Sequence, residues 1–175
     1  MKKIILLSTL AFSLSSCYAQ KSISLGVRRV NGKKFEVKAT EIQIGKGKPG
    51  VIVFNADYEY NYKAPPLPKG PHPFPMQMKD IHMENDKVKS IVIGVLRYKM
   101  QVLKERSETL RLLFSLDQRG EPKNISYSIA QPTSISLEDI SKIDEKMKKQ
   151  VRASFTGTDY LQYNVIHYNM PLISF

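Results

Sequence analysis

The stretch T109-L-R-L-L-F-S-L-D-Q-R-G-E-P-K-N-I-S-Y-S-I-A130 decides the architecture. Leu110, Leu112, Phe114 and Leu116 alternate with other residues, so a strand places all four on one face. Asp117 to Pro122 supplies turn chemistry, and the returning run puts Ile125, Tyr127 and Ile129 on one face. Asn124, Ser126 and Ser128 are expected to look outward. A hairpin with one apolar face requires a cover. That cover begins at Ser136, where Ser136 and Asp139 have capping-box spacing. Leu137, Ile140, Ile143, Met147 and Val151 follow at helical spacing, with Glu138 and Asp139 early and Lys146, Lys148 and Lys149 late, matching the helix dipole.

Upstream, Asp86 is a candidate cap for a helix over residues 87–105, with an apolar stripe of Val88, Ile91, Val92, Val95, Leu96, Val102 and Leu103. Ile91-Val92-Ile93 and Gly94 lower its helix propensity, and a strand over 87–95 is the alternative. Downstream, residues 159–170 read as a closing strand. The second half is then helix–strand–strand–helix–strand. The predicted fold class is α+β, an antiparallel sheet with two helices packed on one face, preceded by a β-rich segment.

That preceding segment, residues 20–62, reads as three antiparallel strands. Asn31-Gly32 is a two-residue hairpin signal, and Phe35, Val37 and Ala39 alternate against polar neighbours. Residues 51–62 are the third run, on which Tyr58, Tyr60 and Tyr62 are expected to share a strand face. Residues 63–75 hold six of the ten prolines, which excludes helix and interior strand and predicts extended backbone there, within a proline-rich spacer over 63–80 ahead of a module at 81–175.

The amino terminus has the three-part pattern of an export signal: Lys2-Lys3, an apolar run over 4–14, and a small-residue tail. The run is shorter than the roughly 20 residues that span a bilayer. Two cuts are consistent with the tail. One follows Ala19, giving a signal peptide over 1–19. The other precedes Cys17, giving a leader over 1–16 and a lipid on the Cys17 sulfur. Either implies an exported protein, periplasmic or associated with the outer membrane. Cys17 is the single cysteine, so the body holds neither disulfide nor thiolate metal site.

The net charge of +11 points to anionic neighbours, such as a glycan or lipid surface or an acidic envelope protein, and export disfavours nucleic acid. No cofactor motif is present. "GKGKPG" at 45–50 lacks the G-K-[ST] ending of a phosphate-binding loop, and no serine lies in G-x-S-x-G. His72, His82 and His167 lack the close pairing of a zinc site, so no metal ligands are assigned. Nor is any catalytic residue assigned. The candidate binding residues are the tyrosines: Tyr58, Tyr60 and Tyr62 in one group, and Tyr160, Tyr163 and Tyr168 near the carboxyl end.

Residues 86–175 also resemble the carboxy-terminal module of TonB-type energy transducers. The likeness lies in the D-x-x-G turn at Asp117 and Gly120, the returning strand, the helix from Ser136 and the final run to Phe175. It implies a small sheet able to pair an edge with a partner strand. The chain departs from that family in its short spacer and its lack of a Tyr-Pro pair. In general style it is similar to secreted proteins of Bacteroides-type bacteria. The expected function is a non-catalytic envelope binding or assembly module acting through a sheet edge or a tyrosine-rich face. A small secreted hydrolase with a site assembled from distant residues, His167 a candidate among them, or a transducer-like helper of outer-membrane receptors, is the alternative.

Overall fold

The computed structural model describes residues 22–44, 48–68 and 76–175. The leader, Cys17 and His72 lie outside them, as do residues 69–75 of the proline-rich segment.

The hairpin at the centre of the sequence forms as expected. β5 (Thr109–Leu116) pairs antiparallel with β6 (Pro122–Ala130), so that Leu110 meets Ile129, Leu112 meets Tyr127 and Phe114 meets Ile125. The turn between them depends on Gly120, whose φ of 73° is left-handed and whose added Cβ would sit 1.9 Å from the Ala153 carbonyl oxygen. Asp117 closes the turn by accepting from the backbone N–H groups of Arg119 and Glu121, both at 2.9 Å.

The early strands join the same sheet. β1 (Gly26–Val30) and β2 (Lys33–Ile44) are joined through Asn31 and Gly32, with φ of 50° and 76°, the two positive values a tight hairpin needs. β3 (Lys48–Asn55) pairs with β2 and then with β6, Gly50–Val53 against Tyr127–Ala130. Strands from either side of residues 63–80 are therefore hydrogen-bonded neighbours. The other flank of β5 carries β8 (Ile166–Asn169) and β9 (Ile173–Ser174). The order is β1-β2-β3-β6-β5-β8, with β9 also on β5. Residues 127–130 of β6 and much of the outer flank of β5 are thus already paired within the chain.

Two long helices cover one face. α1 (Asn85–Leu96) buries Val88, Ile91, Val92 and Leu96, and α3 (Leu137–Gln150) buries Ile140, Ile143 and Met147. They share one core with Phe35, Val37, Val51, Val53, Tyr127 and Leu110, Leu112, Phe114 and Leu116 of β5. Each large side chain so buried contributes roughly 1.5–3 kcal/mol before entropy is subtracted. α3 has the expected capping box: Ser136 Oγ accepts from the Asp139 N–H at 3.3 Å, and Asp139 Oδ2 accepts from the Ser136 N–H at 2.9 Å. Asp139 is also held at 2.6 Å by Lys99 Nζ and at 2.6 Å by the Tyr98 hydroxyl, a buried ion pair that ties α3 to the segment after α1.

Three local expectations are corrected. The helix expected over 87–105 starts at Asn85 with Glu84, not Asp86, in the cap position. It also breaks at a 3-10 turn, Arg97–Lys99, before α2 (Met100–Glu105), the turn that aims Lys99 inward at Asp139. The closing strand is confined to β8 and β9, because Asp159–Gln162 winds into a 3-10 turn. Finally, β3 stops at Asn55, so Tyr58, Tyr60 and Tyr62 do not alternate along a strand. A two-stranded ribbon of β4 (Ile81–Met83) and β7 (Ala153–Phe155) completes the fold.

Candidate functional site

With both long helices on one face, the opposite face of the sheet is left to other cover. Ile52 and Phe54 of β3, Leu113 and Ser115 of β5, Asn124 and Ser126 of β6, and His167 of β8 alternate away from the core and line a cavity there. The cover is the segment after β3. Asn55 turns the chain: its Oδ1 accepts from the Asp57 N–H at 3.0 Å, and its carbonyl accepts from Asn61 Nδ2 at 2.7 Å and the Tyr58 N–H at 3.2 Å. This compact loop swings Tyr58, Tyr60, Asn61 and Pro65 over the sheet.

The result is a cavity of about 240 Å³, walled by Tyr58 and Tyr60 and floored by Leu113, Ser115, Asn124 and Ser126. The two tyrosine rings meet edge to face, 5.6 Å between centroids at 83°. None of the lining residues carries a permanent charge. Partial burial lowers the His167 pKa from its usual 6.5, which favours a neutral ring at pH 7.

Two polar atoms here lack partners. Asn124 is 3% exposed and its Oδ1 accepts no hydrogen bond. The Tyr58 hydroxyl is buried and faces Ser115 without reaching hydrogen-bond geometry; burial raises its pKa above 10.0. Unmade bonds of this kind are costly in a folded protein and mark places where a ligand or water completes the set. Asn124 was expected to look outward. It does point away from the helices, but the Tyr58 loop encloses it.

Beside the cavity, and sharing Tyr58, Tyr60 and Val165 with it, lies a wider cleft of about 480 Å³. Its charged residues are Asp57, Glu59, Asp117 and Lys123. Lys123 is committed to Asp117 at 2.9 Å and Glu121 at 3.1 Å. Burial alone would raise the Asp117 pKa, but the N–H of Glu121, the Lys123 ammonium and the N–H of Arg119 outweigh it and hold the carboxylate below its usual value. The other two acids are paired as well, Asp57 with Lys34 at 3.2 Å and Glu59 with Lys63 at 3.5 Å, so the approach to the cavity is charged but balanced.

The other tyrosines stand elsewhere. Tyr62 is exposed; its hydroxyl donates to Glu36, and Lys38 Nζ sits 4.3 Å over its ring. Tyr160 stacks on Phe155 at 4.9 Å, Tyr163 packs on the core, and buried Tyr168 donates to Asn85 Oδ1 at 3.0 Å. Of the six, the structure brings Tyr58 and Tyr60 together at a cavity. Asn124, Ser115, Ser126 and His167 join them, and only their shared alternation away from the apolar face hinted at it.

Ser115 and His167 are directly opposed across β5 and β8, with Oγ 3.4 Å from Nδ1. Ser115 is 6% exposed, and no carboxylate bonds the His167 ring among the described residues. His82 is bonded to Thr156 Oγ1 at 2.8 Å. Among the described residues no group of three or more His, Cys, Asp or Glu is placed to hold a metal, and no helix is long and apolar enough to cross a membrane.

No protein-family model matches the chain, and no curated protein matches it. Among solved structures, a DUF5043 family protein from Bacteroides uniformis is similar, with a TM-score of 0.65 at 15% identity over 85% of this chain and 90% of that one. A likeness at that identity shows a shared fold over most of both chains. It assigns no role to any residue.

Proposed function

We propose that this protein is an exported, non-catalytic binding module of a bacterial envelope, and that it holds its ligand on the tyrosine-covered face of the sheet. The observation that supports this reading is the half-open cavity beneath Tyr58 and Tyr60, with the Asn124 amide oxygen and the Tyr58 hydroxyl both unpartnered. A face is preferred to an edge because β3, β8 and β9 already pair with much of the central hairpin. The basic surface outside the cavity would serve to hold the module near anionic lipid or glycan.

Two measurements test it. The mass of the mature amino-terminal peptide is expected to begin at Gln20 or at a lipidated Cys17, and an intact Met1 terminus would overturn export. A photo-crosslinking amino acid in place of Tyr60 is expected to trap an envelope component in cells, whereas one in place of Leu172 traps none. Equal yields from both positions, or none from position 60, would overturn the role of the face.

The Ser115–His167 contact favours a second reading, a small hydrolase. It predicts a turnover that Ser115→Ala and His167→Ala each abolish. The low exposure of Ser115 and the lack of an orienting carboxylate among the described residues weigh against it.

A further inference from the structure

The chemistry of the cavity narrows the ligand. This step rests on the binding role proposed above. Four features act together. Its lining carries no permanent charge, so a buried ion there would find no countercharge and would pay for its lost hydration. Its entrance offers no unpaired charge, since Asp57 is held by Lys34 at 3.2 Å, Glu59 by Lys63 at 3.5 Å and Asp117 by Lys123 at 2.9 Å, so nothing there draws in an ion of either sign. Asn124 Oδ1 can only accept, so the occupant must bring a donor to it. The Tyr58 hydroxyl, Ser115 and Ser126 can each donate or accept, which suits groups that do both.

The remaining surface is apolar and partly aromatic: Tyr60, Phe54, Ile52, Leu113 and Pro65. An occupant must therefore have an unsubstituted carbon face as well as a rim of groups that both donate and accept. Its size is bounded too. The cavity of about 240 Å³ is smaller than the roughly 300–1,000 Å³ typical of drug-sized sites, and it opens onto the wider cleft through which a longer molecule could continue.

We infer that the cavity binds one neutral pyranose ring of a glycan, with a ring hydroxyl donating to Asn124 Oδ1, others meeting Tyr58, Ser115 and Ser126, and the ring's carbon face against Tyr60. The rest of the glycan runs out along the cleft beside Asp57 and Asn164. The overall positive charge then serves a different purpose from recognition. It brings the protein to an anionic surface, while the site selects an uncharged sugar on it.

The test is isothermal titration of the full mature protein with methyl glycosides of neutral hexoses and N-acetylhexosamines, beside glucuronate and hexose 6-phosphate. At least one neutral glycoside is expected to bind. The charged sugars are expected to bind at least about tenfold more weakly, the scale of one lost hydrogen bond. Asn124→Leu and Tyr60→Ala are each expected to weaken the neutral sugar by about tenfold or more, with unchanged circular dichroism. Asn169→Leu, on the same sheet face but outside the cavity, should leave affinity unchanged.

Tighter binding of the phosphorylated or acidic sugar would overturn the inference, as would neutral-sugar binding indifferent to both cavity substitutions. If no glycoside binds while the crosslinker at position 60 still traps an envelope protein, the ligand class is wrong and the binding role stands. If neither occurs, both fall.

Discussion

Asn124→Leu should make the unliganded protein more stable, an unusual sign for a change at a buried polar residue. Most substitutions at residues this buried cost stability. Asn124 is 3% exposed, and its Oδ1 meets no donor. Leaving such an acceptor dry costs about 1–3 kcal/mol, and a leucine of similar shape removes that cost. Asparagine is also poorly suited to a strand, adding a few tenths of a kcal/mol to the gain. Imperfect fit against Tyr58 and Ser126 takes some back, so the net gain is about 1 kcal/mol. For a chain of this size that raises Tm by about 2–4 °C. Urea unfolding at pH 7 reads it as a higher midpoint at unchanged slope. Asn169→Leu, exposed on the neighbouring β8, should stay within about 0.5 kcal/mol of wild type. A loss of more than about 1 kcal/mol in Asn124→Leu would refute the reasoning, because the amide would then be a structural anchor and not a group held ready for a ligand.

Other consequences are open to measurement. Gly120→Ala combines a left-handed backbone with a Cβ 1.9 Å from the Ala153 carbonyl, and should cost about 2–5 kcal/mol in urea unfolding; a change under 1 kcal/mol would refute that packing. Lys99→Met strands the buried Asp139 carboxylate and should cost about 3–5 kcal/mol. Burial pushes the Asp139 pKa up, but bonds from Lys99, Tyr98 and Ser136 outweigh it and lower it below 3.8; its stabilisation is full above that value and is lost as pH falls through the depressed one. Lys99 mirrors this: burial pulls its pKa down, its bond to Asp139 wins, and the stabilisation present below 10.5 is lost only as pH rises through the higher folded value. Acid and base unfolding of wild type and Lys99→Met should therefore converge at both extremes, and parallel curves would contradict the pair. NMR titration of the His167 ring should give a midpoint below 6.5, and one above it would show that burial does not govern that side.

Local chemistry was legible wherever structure is local. The alternation in 109–130, the Asn31-Gly32 turn and the Ser136–Asp139 box each fix their geometry within a few residues, and each element stands where periodicity and capping put it. The pairing of β3 with β6 was not legible. It joins residues about 75 positions apart across the proline-rich segment, and nothing in either strand's own pattern names its partner. The tyrosine run failed as a strand for a traceable reason: Asn55 and Asn61 hydrogen-bond to backbone around the turn, which competes with continuing the ladder. That same turn creates the site. Sequence pointed to the tyrosines, but Ser115, Asn124 and His167 become a cavity only once the loop lies over them.

The most direct test of the account is amide chemical-shift mapping while a neutral methyl glycoside is titrated into the full mature protein. The predicted result is a set of shifts confined to Tyr58, Tyr60, Ser115, Asn124, Ser126, His167 and their immediate neighbours, saturating with added sugar. Saturating shifts on α1 and α3 or along β1, with that face silent, would contradict it.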